Sequence, residues 1–352
     1  MNSRLIAIGA TVLFLVGFIF LRGPTPHIAI KAEALTSVGS VAITNTMITG
    51  WVIVALIAVG VFVSTRKWTL IPSGIQNFVE AAMEGFYTLV TNIAGEENGR
   101  RFFPVVATIF FFIVISNWLS LTPVFNVIGW VGHEDSPETQ IEEHGFVHGI
   151  IFKDAGPFNV IPFSGPSNLR VTSDENVIEK DDPEGVQKYE EAKADGKKVG
   201  ELIPLFRGIN TDLNTPLAIA IAAVIAVEWW GISALGLFTY GGKFFNFHGP
   251  IDFFVGILEL VSEIVRLVSF TFRLFGNMFA GEVVILMFTF LTPLILTLPF
   301  YGLEIFVGAI QAFIFSMLTL VFGVMAVSHH GDHDTAEEHH EIANTIQEPA
   351  HS

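Results

Sequence analysis

Residues 257–284 read ILELVSEIVRLVSFTFRLFGNMFAGEVV, and their reading decides what kind of chain this is. The run is apolar and long enough for a bilayer, where one helical crossing takes roughly 20 mostly apolar residues. Yet Glu259, Glu263, Arg266, Arg273 and Glu282 stand inside it. A charge at the centre of a membrane helix costs about 2.5–3.5 kcal/mol on insertion scales, so such residues are rare and usually functional. Glu259, Glu263 and Arg266 are spaced four and three apart, which puts them on one helical face where they can pair with each other. Arg273 has no carboxylate three or four residues away on either side, so its partner has to come from another helix or another chain. Asn277 shares its face one turn on, whereas Glu282, nine residues on, falls on the opposite side of an ideal helix. Gly276, Ala280 and Gly281 leave room for a close neighbour.

The composition around this stretch points the same way. Of 352 residues, 51% are hydrophobic and 15% charged, against about 25% charged in ordinary soluble domains. Phe outnumbers Tyr 34 to 4, and Phe has no polar tip to bring to a wet surface. The net charge of −16, from 34 acidic and 18 basic residues, argues against a nucleic-acid partner, which would call for basic patches. With no Cys there is no disulfide, no thiolate metal site and no catalytic thiol.

Outward from 257–284, the spans follow from apolar length. Residues 5–21, between Arg4 and Arg22, read as either a signal peptide or an uncleaved anchor; Ala32-Glu33-Ala34 has the small-x-small cleavage pattern but lies far downstream. Apolar runs at 41–63, 102–121, 213–240, 251–298 and 300–327 predict membrane helices. The block 251–298 is too long for one upright crossing, so it is strongly tilted, bent, or two helices meeting near Thr292-Pro293. In 75–93, Phe78, Ala82, Phe86, Leu89 and Ile93 recur at helical spacing, which suits an amphipathic helix on the membrane surface. The expected fold is therefore an all-α polytopic membrane protein with five core transmembrane helices plus the N-terminal signal or anchor.

Between the spans the character changes. Residues 132–208 are acidic and rich in Gly and Pro, an aqueous insertion expected to be a solvated loop or small cap, with a short polar helix over 181–198. It offers no nucleophile–base pair and no phosphate loop. The tail, 328–352, carries His329, His330, His333, His339 and His340 without tetrahedral metal-site spacing, and reads as solvated. The organisation is thus 1–40, 41–131, 132–208, 209–327 and 328–352. Arg66, Lys67, Arg100 and Arg101 flank one connection, which the positive-inside rule puts in the cytoplasm. Counting spans then puts the insertion outside, and Lys243 and the C-terminus inside.

Other polar residues fall within or beside these spans. Glu304 and Gln311 are two turns apart on one face of the last helix. If that face meets the Glu282 side of the preceding helix, two carboxylates and an amide converge at membrane depth, an arrangement able to hold and pass a proton. Asp212-Leu213-Asn214-Thr215 sits where a span emerges. Asp252 and Glu228 are weaker candidates, since Glu228 next to Trp229-Trp230 can simply reach an interface.

The run Arg273-Leu274-Phe275-Gly276-Asn277-Met278-Phe279-Ala280-Gly281-Glu282 resembles the signature of subunit a of the F-type ATP synthases. Gln311-Ala312-Phe313-Ile314-Phe315 with Leu318-Thr319 resembles that family's last helix, Asp212 with Asn214-Thr215 the second helix of its central hairpin, and Asn117-Trp118 the first. The resemblance covers roughly 41–130 and 209–330. It implies that the last two helices are long and tilted around a ring of c subunits, and that Arg273 is the stator charge facing the ring's carboxylates. It further implies that Glu282, Glu304 and Gln311 line the outer half-channel, Glu259 and Glu263 the cytoplasmic one, and Asn277 supports the arginine; Asp212 and Asn214 complete the proton path. The remaining implications are b-type peripheral-stalk partners, no cofactor, no nucleotide site on this chain, no enzymatic activity of its own, and a bacterial inner membrane. Two departures stand out: the insertion is much longer than the family's loop, and Glu304 takes a position where relatives carry His, so that two carboxylates are expected to share one proton. A self-contained secondary transporter is the alternative, but no inverted repeat is visible. A membrane hydrolase would call for a ligand motif such as H-E-x-x-H, which is absent.

Overall fold

The computed structural model describes residues 30–39, 41–66, 68, 74–122, 124–126, 128–132, 146–148, 150–155, 158–160, 177–179, 194, 198–242, 244, 250–291 and 297–328. The N-terminal apolar run, most of the 181–198 stretch, Lys67, Lys243, Thr292-Pro293 and the His-rich tail lie outside them. Among the described residues six α-helices follow one another: α1 (Asn45–Thr65), α2 (Ile75–Ser120), α3 (Asn214–Leu235), α4 (Leu237–Gly242), α5 (Pro250–Leu291) and α6 (Thr297–Ser328). Among the described residues four of these, α1, α2, α3 and α6, are long and apolar enough to cross a membrane. The 42-residue α5 carries the intramembrane charges. At 1.5 Å per residue it is about 63 Å long, twice the ~30 Å hydrocarbon thickness, so it cannot stand upright within one crossing. The chain is an integral membrane protein, mostly helical.

The chain forms two compact units, 1–60, 114–213 and 275–310 in one and 61–113, 214–274 and 311–352 in the other. In the first, a hairpin of β1 (Ala34–Val38) and β2 (Val41–Thr44) turns at Gly39, whose φ of 65° favours glycine. It leads straight into α1. Thr44 Oγ1 accepts from the Met47 N–H at 3.3 Å and so caps the first turn. Most of α1 is apolar all round and exposes Trp51, Val54, Leu56, Val59, Val61 and Phe62, the surface of a helix that faces lipid rather than a core stripe.

The insertion contains strands, where a solvated loop or small cap was expected; the polar helix expected over 181–198 lies, but for Ala194 and Lys198, outside the described residues. β3 (Ile128–Gly132), β5 (Ile150–Ala155), β6 (Phe158–Val160) and β8 (Lys198–Pro204) close a four-stranded antiparallel barrel in the order β3-β6-β5-β8. β3 pairs along Gly129↔Pro204 to Gly132↔Glu201 with β8, and through Ile128↔Val160 with β6. β5 divides its length between the same two partners. A Cβ at Gly129 would overlap the Ile203 carbonyl, so only glycine fits there. β4 (Phe146–His148) and β7 (Val177–Glu179) form a separate pair. These strands are three to seven residues long in a strongly acidic segment, so their alternation is drowned by composition.

In the second unit, α2 is broken at Gly95, with φ 76° and ψ 167°, into the expected 75–93 helix and the following span. The break turns the first half back onto the second. Phe86 stacks on Phe110 at 4.5 Å and touches Phe103 and Phe111. Gly99 lies against Thr91, where a Cβ would stand 2.9 Å from Thr91 Cα. The apolar stripe is thus shared: Phe86 and Leu89 pack against the neighbouring helix, while Phe78 stays 75% exposed. The 213–240 run is divided, because α3 stops at Leu235 and Gly236, with φ 84°, turns α4 back so that the Tyr240 ring covers Gly231. The core of this unit is a stack of Phe102 on Trp230 at 4.2 Å, with Trp230 also against Gly323.

Candidate functional site

The first unit gathers polar side chains from several elements. Glu282, half-buried on α5, accepts a hydrogen bond on Oε1 from Asn126 Nδ2 at 2.5 Å, while its Oε2 is buried with no hydrogen-bond partner among the described residues. Glu304, 9% exposed on α6, lays its carboxylate against Gly281, the residue next to Glu282. Phe288 stacks on Phe300 at 4.2 Å, holding these stretches of α5 and α6 together. Glu304 therefore lies beside the residue that precedes Glu282 on α5.

Beside it runs an amide network. Asn210, on a buried 3₁₀ turn (Ile209–Thr211), donates to Asn117 Oδ1 at 2.7 Å and to Ser116 Oγ at 3.2 Å. Asn117 in turn donates to the Gly308 carbonyl at 3.2 Å, and Trp118 Nε1 to the Ile305 carbonyl at 2.9 Å. Asp212 is 4% exposed and accepts from Thr46 Oγ1 at 3.1 Å. Arg207, 5% exposed, donates to the Lys31 carbonyl at 2.9 Å. Asn277 is exposed, as is Asn214, which opens α3 in the second unit.

The second unit holds the cations of α5. Arg266 pairs with Glu263 at 2.7 Å and lies over the Phe322 ring, 3.9 Å from its centroid. Arg273, half-buried, makes no ion pair among the described residues; its Nη2 reaches Ser269 Oγ at 3.4 Å. Glu259 is half-buried one turn before Glu263. Gln311 is 2% exposed on α6, two turns beyond Glu304 along that helix. Phe270 packs on Phe315 at 4.8 Å between α5 and α6. Beyond the end of the α3 span, burial pushes the Tyr240 hydroxyl above its ordinary value, with the negative charge of the nearby Glu228 carboxylate adding to the effect.

The sequence reading missed Asn126, Asn210 and Thr46. Asn126 has φ 58°, and Asn is among the few non-glycine residues that tolerate the left-handed region. A lone Asn in a turn is nevertheless too common a feature to single out. Asn210 lay two residues before the noted Asp212, and its buried amide carried the same signal of polarity beside a span.

Residues 47–323 match the ATP synthase A chain family. Over 293 residues the chain is 28% identical to the ATP synthase subunit a of Moorella thermoacetica, covering 83% of this chain and 95% of that protein. Over 291 residues it is 28% identical to the ATP synthase subunit a of Gloeobacter violaceus, covering 82% and 86%. The matched region takes in every residue of the two clusters from Glu259 to Gln311, and well over half of the sequence. The chain belongs to the ATP synthase A chain family.

Proposed function

We propose that Arg273 is the stator charge of this proton-channel subunit of the Fo sector, pairing in turn with the carboxylate on each c subunit as the ring rotates past it. The observation that carries the reading is that α5 holds a half-buried arginine with no carboxylate partner among the described residues, only Ser269 at 3.4 Å. A guanidinium stays protonated even when desolvated, so it waits for a counter-charge from another chain. It also blocks protons from crossing directly between two half-channels.

In this reading Glu282, Glu304 and Gln311 line the outer half-channel, with Asp212 and Asn214 near its mouth. Glu259 and Glu263 line the cytoplasmic one, and Asn277 supports Arg273. Glu263 already pairs with Arg266, so it takes part only when that pair opens. The 132–208 insertion stands on the outer side and the C-terminus in the cytoplasm of a bacterial inner membrane, with b-type subunits as the stalk partner. ATP chemistry resides in other chains of the complex. The family membership gives the transporter alternative no support.

Replacing Arg273 with Ala in the assembled complex tests the assignment. Loss of ATP-driven proton pumping and of synthesis, with a rise in passive leak, is the expected result. Pumping and synthesis near wild-type rates in an intact complex would overturn it.

A further inference from the structure

We infer that Asn126 positions Glu282 for proton transfer, fixing which carboxylate oxygen carries the proton; this rests on Glu282 lying in the outer half-channel. Asn126 Nδ2 donates to Oε1 at 2.5 Å. An amide N–H does not give up its proton to a carboxylate, so Oε1 is committed as an acceptor. Oε2, buried and without a hydrogen-bond partner among the described residues, is the oxygen left to react. A proton delivered through water bonds to a lone pair of Oε2 and leaves a neutral acid. When it departs to the next acceptor, the O–H bond breaks and its electron pair stays on Oε2. Charge and atoms balance with no further reactant.

The amide can act this way because its backbone is pinned. Asn126 sits in the left-handed region, its N–H donates to the Phe206 carbonyl at 3.0 Å, and the Leu205 N–H donates to the Ile128 carbonyl at 2.8 Å. These bonds tie the turn after α2 to the foot of β8. The donor that orients Glu282 therefore comes from the root of the insertion rather than from a membrane helix, 156 residues away in sequence.

The test uses the assembled complex in vesicles and reads the initial rate of ATP-driven acidification in Asn126→Gly, Asn126→Asp, Glu282→Gln and the double variant Asn126→Asp/Glu282→Gln. Gly keeps the positive φ and deletes only the amide; Asp keeps the shape and turns the donor into an acceptor. A hydrogen bond to a charged group is strong enough that its loss is expected to slow pumping about 10-fold in Asn126→Gly. Glu282→Gln should fall at least as far. In the double variant the carboxylate moves to position 126 and the amide to 282, and pumping should recover several-fold over Glu282→Gln, which a merely structural Asn126 would not produce. Wild-type pumping by Asn126→Gly beside an inactive Glu282→Gln, or a double variant no faster than Glu282→Gln, overturns the role of Asn126 alone. Wild-type pumping by Glu282→Gln would instead overturn the half-channel reading on which it rests.

Discussion

The Glu304 carboxylate occupies the space that a side chain at Gly281 would take. All three of its terminal atoms lie closer to that point than any real Cβ contact allows, so α5 admits the α6 acid only because position 281 has no side chain.

Gly281→Ala should therefore displace Glu304 without removing any titratable group. The expected outcome is a fall in ATP-driven pumping of about 10-fold, since a misplacement near 1 Å at a transfer site costs as much or more. Assembly of the complex should persist. Pumping at the wild-type rate would mean that Glu304 moves aside harmlessly and has no fixed place in proton transfer.

Arg273→Lys keeps a formal charge but loses the planar fork of donors and the resistance to deprotonation on desolvation. Coupled pumping should fall about 10-fold or more and passive proton leak should rise, both measured in vesicles. A fully active lysine variant would reduce the requirement to a simple positive charge.

Glu263 and Arg266 form an ion pair on α5, with side chains 11% and 16% exposed. Removing one partner takes away the other's adjacent counter-charge, whereas removing both leaves neither charge. Glu263→Gln and Arg266→Gln should each reduce the amount of assembled complex more than the double variant does. The interaction energy, from a double-mutant cycle of thermal stability, should fall in the range of about 0.5–3 kcal/mol. Additive effects would show that the pair contributes nothing as a pair.

Gly323 supports the Trp230 ring: a Cβ there would meet Cε3 at 2.7 Å and Cζ3 at 2.8 Å, and the ring is held from behind by Phe102. Gly323→Ala should destabilise the chain by about 1–3 kcal/mol through overpacking, read as a lower melting temperature of the purified complex. Gly276→Ala is the contrast, because nothing lies within 4 Å of its Cβ position. It should leave stability unchanged, and a pumping defect there would report contact with another subunit.

What could be read from the sequence divides along a physical line. The spans and the charges of α5 were legible because an apolar run of membrane length is a strong signal and a charge inside it stands out. The helix over 75–93 was legible by its spacing, but its fold-back was not: that depends on Gly95 alone, one of 32 glycines, adopting a left-handed φ. The end of α3 was misplaced for the same reason, since 236–240 is as apolar as what precedes it and only Gly236 turns the chain. Glu282 was singled out by its charge, but its hydrogen-bond partner Asn126 was not. A hydrogen bond across 156 residues leaves no trace in local periodicity. The barrel escaped because pairing, rather than a repeated apolar face, makes it.

The strands that begin and end the barrel run side by side, Gly129 opposite Pro204, and just below them Asn126 bonds to Phe206. To the membrane helices, everything between is therefore a closed handle whose two feet are always the same distance apart. Such a graft can lengthen, shorten or be exchanged over generations without moving the spans, so long as its feet are kept. A module far larger than a connecting loop can in this way be carried by a rotary motor whose own geometry tolerates little change.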